Sequence, residues 1–152
     1  MQTVIVTKTI NAPIEVVFDA YTDHERLADL PMVRSARVVT PGTTERNGLG
    51  AVREVDGGLI WLREEITAFE RPTLMEYRIR KARPRAKHEL GRVELTQVPN
   101  GTKITWTTVF DVDLPLVGSL PGPAFALLFR GIFTMTLNQV AKRATAAAGT
   151  AR

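Results

Sequence analysis

The pattern of apolar and polar positions predicts one strand and two short helices at the start of the chain. Residues 2–10 alternate between apolar and polar side chains, as expected for a β-strand with one buried face. A first helix is predicted after Pro13, because proline is tolerated at the first helical position. Its apolar face consists of Ile14, Val17, Phe18 and Tyr21. A second short helix is predicted from residue 23 toward Leu30.

The next eighty residues alternate in the manner of strands and are interrupted by turn residues. Glycine-containing pairs at 57–58 and 100–101 are typical of hairpin turns that need positive φ angles. Because the strands follow one another and the helices are segregated, the pattern predicts an antiparallel sheet in an α+β fold. The six strands predicted in this region span residues 37–40, 51–55, 59–69, 73–81, 89–97 and 102–112.

A long amphipathic helix is predicted over residues 123–148. At about 3.6 residues per turn, its large apolar side chains fall in one sector and a polar stripe in another. Such a helix must bury its apolar face, and the concave face of the sheet is available. The space between them is either filled or open to a ligand. The apolar sector contains Phe125, Phe129, Ile132, Phe133 and Val140, with Thr136 near its middle; the polar stripe contains Arg130, Thr134, Asn138 and Lys142.

Length and composition predict a single soluble domain over residues 1–148, with a flexible tail at 149–152. The chain has 152 residues and no cysteine, which excludes disulfides and thiolate chemistry. The amino terminus lacks the basic and apolar regions of a secretory signal, so we expect a cytoplasmic protein. Arg130 lies in the middle of the apolar C-terminal segment, which argues against stable membrane insertion.

Positive charge is concentrated in one short segment. The net charge is +4, and residues 78–87 contain six cations. One interpretation is a surface for phosphates, anionic lipid or nucleic acid. The other is a solvated hairpin end, with Pro84 in its loop, and we favour it because aromatic residues are not interleaved for base stacking. We therefore predict no nucleic-acid partner. An oligomer is left open.

A search for catalytic and metal-binding motifs yields little. His88 is followed by Glu89 but by no second histidine at metalloprotease spacing. The cluster Asp23-His24-Glu25 has metal-ligand chemistry, yet acidic residues are also expected where a helix begins. There is no nucleophile elbow and no phosphate-binding loop. We therefore predict no metal and no cofactor.

Several motifs, in this order and spacing, resemble the START/Bet v 1-like superfamily, also called SRPBCC or polyketide cyclase/dehydrase proteins. The resemblance implies a helix-grip fold: about seven curved antiparallel strands around a long C-terminal helix, with two short helices after the first strand. It also implies a cavity under that helix, with loops such as 47–50 and 115–123 at its mouth. The motifs are INAPIEVVF at 10–18, GLGAVR at 48–53, EIT at 65–67, RP at 71–72, MEY at 75–77 and GTKITW at 101–106.

Strand periodicity selects the polar side chains that could enter such a cavity. If Ile66 faces inward, Glu64 faces the same way. In an apolar hollow its pKa would rise and it could act as a general acid or base; alternatively, it pairs with a neighbouring arginine or lies at the exposed rim. Tyr77 shares a face with Met75, and the Thr136 hydroxyl could bond a ligand or its own helix. The predicted ligand-binding residues are Glu64, Met75, Tyr77, Trp106, Phe110, Phe125, Phe129, Phe133 and Thr136.

Two functions follow from these residues and the resemblance. Members of the superfamily bind lipids, sterols, polyketides or other apolar molecules, and a minority are cyclases or aromatases. We expect binding of a small hydrophobic ligand without catalysis. The alternative is a polyketide cyclase or aromatase in which Glu64 or Tyr77 transfers a proton. It ranks second because the sequence offers at most one inward carboxylate, and because the superfamily shares no catalytic residues that could be transferred.

Overall fold

The computed structural model describes residues 1–112 and 121–150, which form seven strands, two α-helices and a 3-10 helix. Most strands end within two or three residues of their predicted bounds. In chain order the elements are β1 (Gln2–Ile10), α1 (Ile14–Thr22), a 3-10 helix (His24–Asp29), β2 (Ser35–Thr40), β3 (Val52–Asp56), β4 (Trp61–Glu70), β5 (Leu74–Arg83), β6 (Ala86–Val98), β7 (Gly101–Val112) and α2 (Pro121–Thr150).

All seven strands belong to one antiparallel sheet with the order β1-β7-β6-β5-β4-β3-β2. Register shifts interrupt β4 between Arg63 and Glu64 and β6 between His88 and Leu90. Shifts of this kind bend a strand and increase its twist, which lets the sheet curve. Helix α2 lies along the sheet and packs against β1, β7 and α1. The predicted α+β helix-grip fold is therefore confirmed.

The cation-rich segment differs from the prediction in its secondary structure. Strand β5 continues to Arg83 and β6 begins at Ala86, so only Pro84 and Arg85 lie between the strands. The predicted start of β6 at residue 89 was wrong by three residues. The strand begins earlier because Ala86 pairs with Val112 of β7. Backbone pairing of this kind forms whether the exposed side chains are polar or apolar.

The apolar stripe of α2 covers the sheet, and its polar stripe faces solvent. Phe133, Leu137, Val140 and Ala144 are buried, whereas Arg130 and the rest of the predicted polar stripe are exposed. Residues 122–149 are long and apolar enough for a membrane span by length and composition alone. Packing on the sheet covers only one side of this helix, because Leu127, Leu128 and Met135 are exposed.

Within the described residues the helix continues to Thr150, two residues beyond its predicted end. The predicted boundary between a domain at 1–148 and a flexible tail at 149–152 stays a prediction, and residues 151–152 lie outside the described part of the chain. Residues 115–120 of the predicted mouth loop also lie outside it.

Gly91 is needed because it has no side chain: its missing Cβ leaves room for the Tyr77 ring. It pairs with Tyr77 across β5 and β6, and a Cβ atom at this position would overlap the Tyr77 ring. We expect Gly91→Ala to lower the free energy of unfolding by about 1–3 kcal/mol through overpacking, as measured by urea denaturation.

The matched control is Gly131→Ala on the exposed side of α2, where an added Cβ meets no atom within 4 Å. There alanine should raise stability by about 0.5–1 kcal/mol, because glycine is unfavourable inside a helix. Equal effects of the two substitutions would contradict a steric role for Gly91.

Candidate functional site

A cavity of about 260 Å³ lies between the concave face of the sheet and the first half of α2. The sequence did not determine whether the space between α2 and the sheet is filled; at this end it is open. Most of its wall is apolar, with a few polar side chains. Apart from the predicted site residues, the lining consists of Leu27, Leu30, Met32, Val33, Arg53, Val55, Gly57, Leu59, Ile60, Leu62, Ile79, Ala82, Pro84, Ala86, His88, Thr108, Val112, Leu128 and Ile132.

The structure brings eight of the nine predicted ligand-binding residues to this cavity. The exception is Met75, which is fully buried opposite Val93 in the closed part of the core. Thr136 reaches the cavity, but its hydroxyl donates to the carbonyl oxygen of Ile132 at 2.8 Å, one of the two alternatives considered for it. The eight are Glu64, Tyr77, Trp106, Phe110, Phe125, Phe129, Phe133 and Thr136.

Four phenylalanine rings form the aromatic roof of the cavity. Phe110 meets Phe129 edge to face, with ring centroids 5.1 Å apart. Phe129 also contacts Phe125 and Phe133, at 6.3 and 6.1 Å between centroids. These distances lie in the range of favourable aromatic pairs, so the roof is a connected set of rings, three on α2 and one, Phe110, on β7.

A buried ion pair lies at the polar end of the cavity. Arg53 and Glu64 are Cα partners across β3 and β4, and Arg53 Nη2 donates to Glu64 Oε2 at 3.2 Å. Their side chains are only 5% and 6% exposed. Of the alternatives for Glu64, pairing with a neighbouring arginine therefore applies. Burial alone would lower the pKa of Arg53, but the nearby carboxylate and two tyrosines outweigh it and raise that pKa. The arginine remains charged.

His24 extends this pair toward the 3-10 helix. Its Nδ1 accepts a hydrogen bond from Arg53 Nη1 at 2.9 Å, so its Nε2–H donates to the Asn47 carbonyl oxygen, also at 2.9 Å. Burial and the charge of Arg53 lower the pKa of His24 to about 3. The ring is neutral, and both nitrogens are engaged. In the cluster of residues 23–25, the histidine is therefore a hydrogen-bonding partner of Arg53 and of the Asn47 backbone.

A second set of polar groups lies along β5, β6 and β7. Trp106 Nε1–H donates to the Tyr77 hydroxyl oxygen at 2.9 Å. Burial, followed by the charge of Glu64, raises the pKa of Tyr77 above its usual range. His88 stacks on the Tyr77 ring at 5.5 Å between centroids. The Tyr77 hydroxyl therefore keeps its proton.

The hydrogen bonds of His88 assign its neutral tautomer. Its Nδ1 accepts from the Ile79 backbone N–H and its Nε2–H donates to Thr108 Oγ1, both at 3.1 Å. Thr108 in turn donates to the Leu90 carbonyl oxygen at 3.1 Å. Burial, and then the charge of Arg78, lowers the pKa of His88 to about 4.

The sequence-based candidate list lacked four of these polar residues: Arg53, His24, His88 and Thr108. Two signals were available for Arg53. First, Arg53 lies two residues before Val55 and therefore faces the same side of its strand. Second, a hairpin turn at Gly57 and Gly58 places it opposite Glu64. His24 and His88 had no such signal, because their roles depend on partners 23 and 20 residues away in the chain.

Of the two loops that the resemblance placed at the cavity mouth, one does not line the cavity, and the other lies largely outside the described residues. Residues 47–50 do not line the cavity; their contribution is the Asn47 carbonyl oxygen that accepts from His24. Among the described residues, the turn from Gly57 to Ile60, the β5–β6 hairpin end and the start of α2 border the opening instead.

Comparison with known proteins extends over the whole fold. A family model described as polyketide cyclase/dehydrase and lipid transport matches residues 1–145. No curated protein matches the chain. Solved structures at 13–21% identity, a level that shows the fold alone, include the three that follow.

The first, a protein from Thermus thermophilus, is 20% identical with a TM-score of 0.78 over 97% of this chain and 99% of that one. The Zhui aromatase/cyclase from Streptomyces sp. R1128 is 17% identical with a TM-score of 0.76, over 95% and 93%. A START superfamily protein from Mycobacterium smegmatis is 13% identical with a TM-score of 0.66, over 99% of both chains.

The free energy of unfolding should decrease as the pH is lowered, because His24 is buried in its neutral form. The unfolded chain takes up this proton near pH 6.5, whereas the folded protein does so only near pH 3. Between these values the unfolded state binds more protons, so the free energy of unfolding decreases as the pH falls. From pH 7 to pH 5 we expect His24 to account for a loss of about 2 kcal/mol.

Urea denaturation of wild type and His24→Gln at both pH values measures this loss. Glutamine keeps an acceptor for Arg53 but does not titrate, so the pH-dependent loss should shrink by that amount. The pKa of His88 is also lowered by folding, so His88 contributes a pH-dependent loss in the same direction, and it does so in both proteins. An unchanged pH dependence in the variant would show that His24 is not responsible.

Proposed function

Because the match spans residues 1–145, the chain belongs to the polyketide cyclase/dehydrase and lipid transport family, and we propose that it binds one small hydrophobic molecule with a polar end. The observation that carries this proposal is the cavity of about 260 Å³ beneath α2, with its aromatic roof. A ligand of lipid or polyketide type fits both the wall and the family. Cytoplasmic residence, expected from the amino-terminal sequence, belongs to the same proposal.

The volume and polarity of the cavity limit the ligand. Pockets for drug-sized ligands are about 300–1,000 Å³, and an apolar cavity of about 150 Å³ accepts benzene. A cavity of about 260 Å³ therefore suits a molecule of one or two rings, or a short acyl chain. Affinity would come mainly from apolar burial, at about 25 cal/mol per Å².

The polar end of the cavity would orient the ligand. The Tyr77 oxygen already accepts from Trp106, so its own O–H proton would be donated to a carbonyl or hydroxyl oxygen of the ligand in place of its interaction with Thr108. Arg53 and Glu64 balance each other's charge. This arrangement favours a neutral polar atom, since a second buried charge would have no partner.

Truncation of the aromatic roof tests ligand binding. We expect Phe129→Ala to weaken binding of the neutral, two-ring fluorescent probe 1-naphthylamine about tenfold, or about 1.4 kcal/mol. The reason is that this ring lies against three other rings of the roof. Fluorescence titration gives the affinity, and a thermal melt gives the stability of the same sample.

The matched control is Phe69→Ala, which removes a half-buried ring that packs on Phe18 and does not line the cavity. It should lower the melting temperature with little change in probe affinity.

Equal probe affinity in wild type and Phe129→Ala would contradict the proposal. Mass spectrometry of a solvent extract of the purified protein would identify a retained natural ligand.

A cyclase or aromatase is the second candidate, and one observation favours it. Glu64, Tyr77 and His88 line the same cavity, which supplies a carboxylate and a histidine together where the sequence indicated only a carboxylate. An aldol-type condensation needs a base that removes a proton and a donor that stabilises the developing oxyanion. In this candidate, Glu64 would be the base and Tyr77 the donor.

Substitution of Glu64 separates the two candidates. If the protein is a cyclase, Glu64→Gln should lower turnover of a poly-β-keto thioester at least about a hundredfold, while probe affinity is retained. Product formation is followed by liquid chromatography. The control is Glu65→Gln, whose carboxylate pairs with Arg80 outside the cavity. Unchanged turnover in Glu64→Gln would exclude this role for Glu64.

A further inference from the structure

Large apolar side chains are exposed where the cavity opens. Leu59 and Leu128 both line the cavity, yet they are 92% and 46% exposed. Leu127, next to Leu128 on α2, is 73% exposed. Exposed apolar groups that cluster at one place, rather than being scattered singly, mark surfaces for a partner or a membrane.

The β5–β6 hairpin end places cations beside this apolar rim. Its residues alternate in facing: Ala82, Pro84 and Ala86 line the cavity, whereas the intervening Arg83 and Arg85 are exposed. Lys81 and Lys87 continue the exposed row on either side. Within the part of the chain that the structure describes, these four cations form no ion pair. Their charge is therefore available to an external partner.

Trp61 connects the cationic row to the leucine rim. It begins β4 two residues after Leu59 and is the Cα partner of Arg83. The Arg83 and Arg63 guanidinium carbons lie 5.1 and 5.9 Å from the centroid of its ring. An amphipathic indole between apolar and cationic groups is typical of a membrane–water interface.

We infer that this end of the molecule docks on a bilayer that contains anionic lipids. The leucines would enter the interface, and the unpaired cations would meet the lipid phosphates. A nucleic acid would use the cations but not the exposed leucines, and the Trp61 ring is already in contact with two guanidinium groups. The leucines lie at the rim of the cavity, whereas the cations Arg83 and Arg85 do not line it, so docking does not depend on whether the cavity is catalytic. Docking would place the cavity mouth against the lipid.

Vesicle co-sedimentation of the full chain tests this inference. We expect binding to phosphatidylcholine vesicles with about 30 mol% phosphatidylglycerol and little binding to pure phosphatidylcholine, since each cation near an anionic surface contributes about 1 kcal/mol. The double variant Arg83→Ala/Arg85→Ala should lower the partition coefficient about thirtyfold. High salt should weaken binding of the wild type more than that of this variant.

A control double variant has the same change in net charge at a distance from the hairpin. Lys103 lies next to the β6–β7 turn, at the opposite end of the sheet, and Lys142 in the later part of α2. Lys103→Ala/Lys142→Ala should stay within about twofold of the wild type, because at about 0.1 M salt only charges within roughly 10 Å of the lipid contribute. An equal loss in both double variants would overturn the inference, since net charge would then explain the binding.

Leu59→Ser tests the apolar part of the surface. It should lower the partition coefficient at least about tenfold on anionic vesicles, because the apolar side chain would leave water on docking. A DNA duplex is the competing partner. Binding to the duplex without binding to vesicles, or vesicle binding that is insensitive to both Leu59→Ser and the arginine variant, overturns the inference. Arg83→Ala/Arg85→Ala should keep its affinity for the naphthylamine probe, so failure of docking and failure of ligand binding are distinguishable.

Discussion

The packing of the Trp106 ring between three elements is the interaction on which the cavity depends. One face stacks on Phe133 of α2 with centroids 3.7 Å apart and an interplanar angle of 7°, and Tyr21 of α1 meets it edge to face at 5.3 Å. Its N–H donates to Tyr77 of β5. This contact is thus one of those that hold α2 on the sheet. On one side of this contact the core is closed around Phe18, and on the other the cavity remains open.

An open apolar cavity lacks the contacts that a filled core would supply, so its walls must be held by other means. Here the polar network does this. Arg53 joins Glu64 and His24, which ties β3, β4 and the 3-10 helix together at the polar end. A buried ion pair contributes little net stability on average, but each partner is costly to leave unpaired. The network therefore favours one arrangement of the wall, as a binding site requires.

Particular elements show how far sequence reasoning reached. Alternation along the chain predicted all seven strands because one face of each strand is buried, and the 3.6-residue spacing predicted which face of α2 meets the sheet. The same parity placed Glu64, Tyr77 and Trp106 toward the interior. Met75 has the parity of Tyr77 but lies in the closed core. Parity assigns a face of the sheet and not a position along it.

The sequence by itself determined the fold class, the strand order along the chain and the inward faces, because these follow from local periodicity and turn chemistry. Only the tertiary structure decided that the space under α2 is open, since a void depends on how summed side-chain volumes compare with the gap between elements. It also decided the partners of His24 and His88. These partners are far apart in the chain, and bending of β4 and β6 at their register shifts helps set which groups meet.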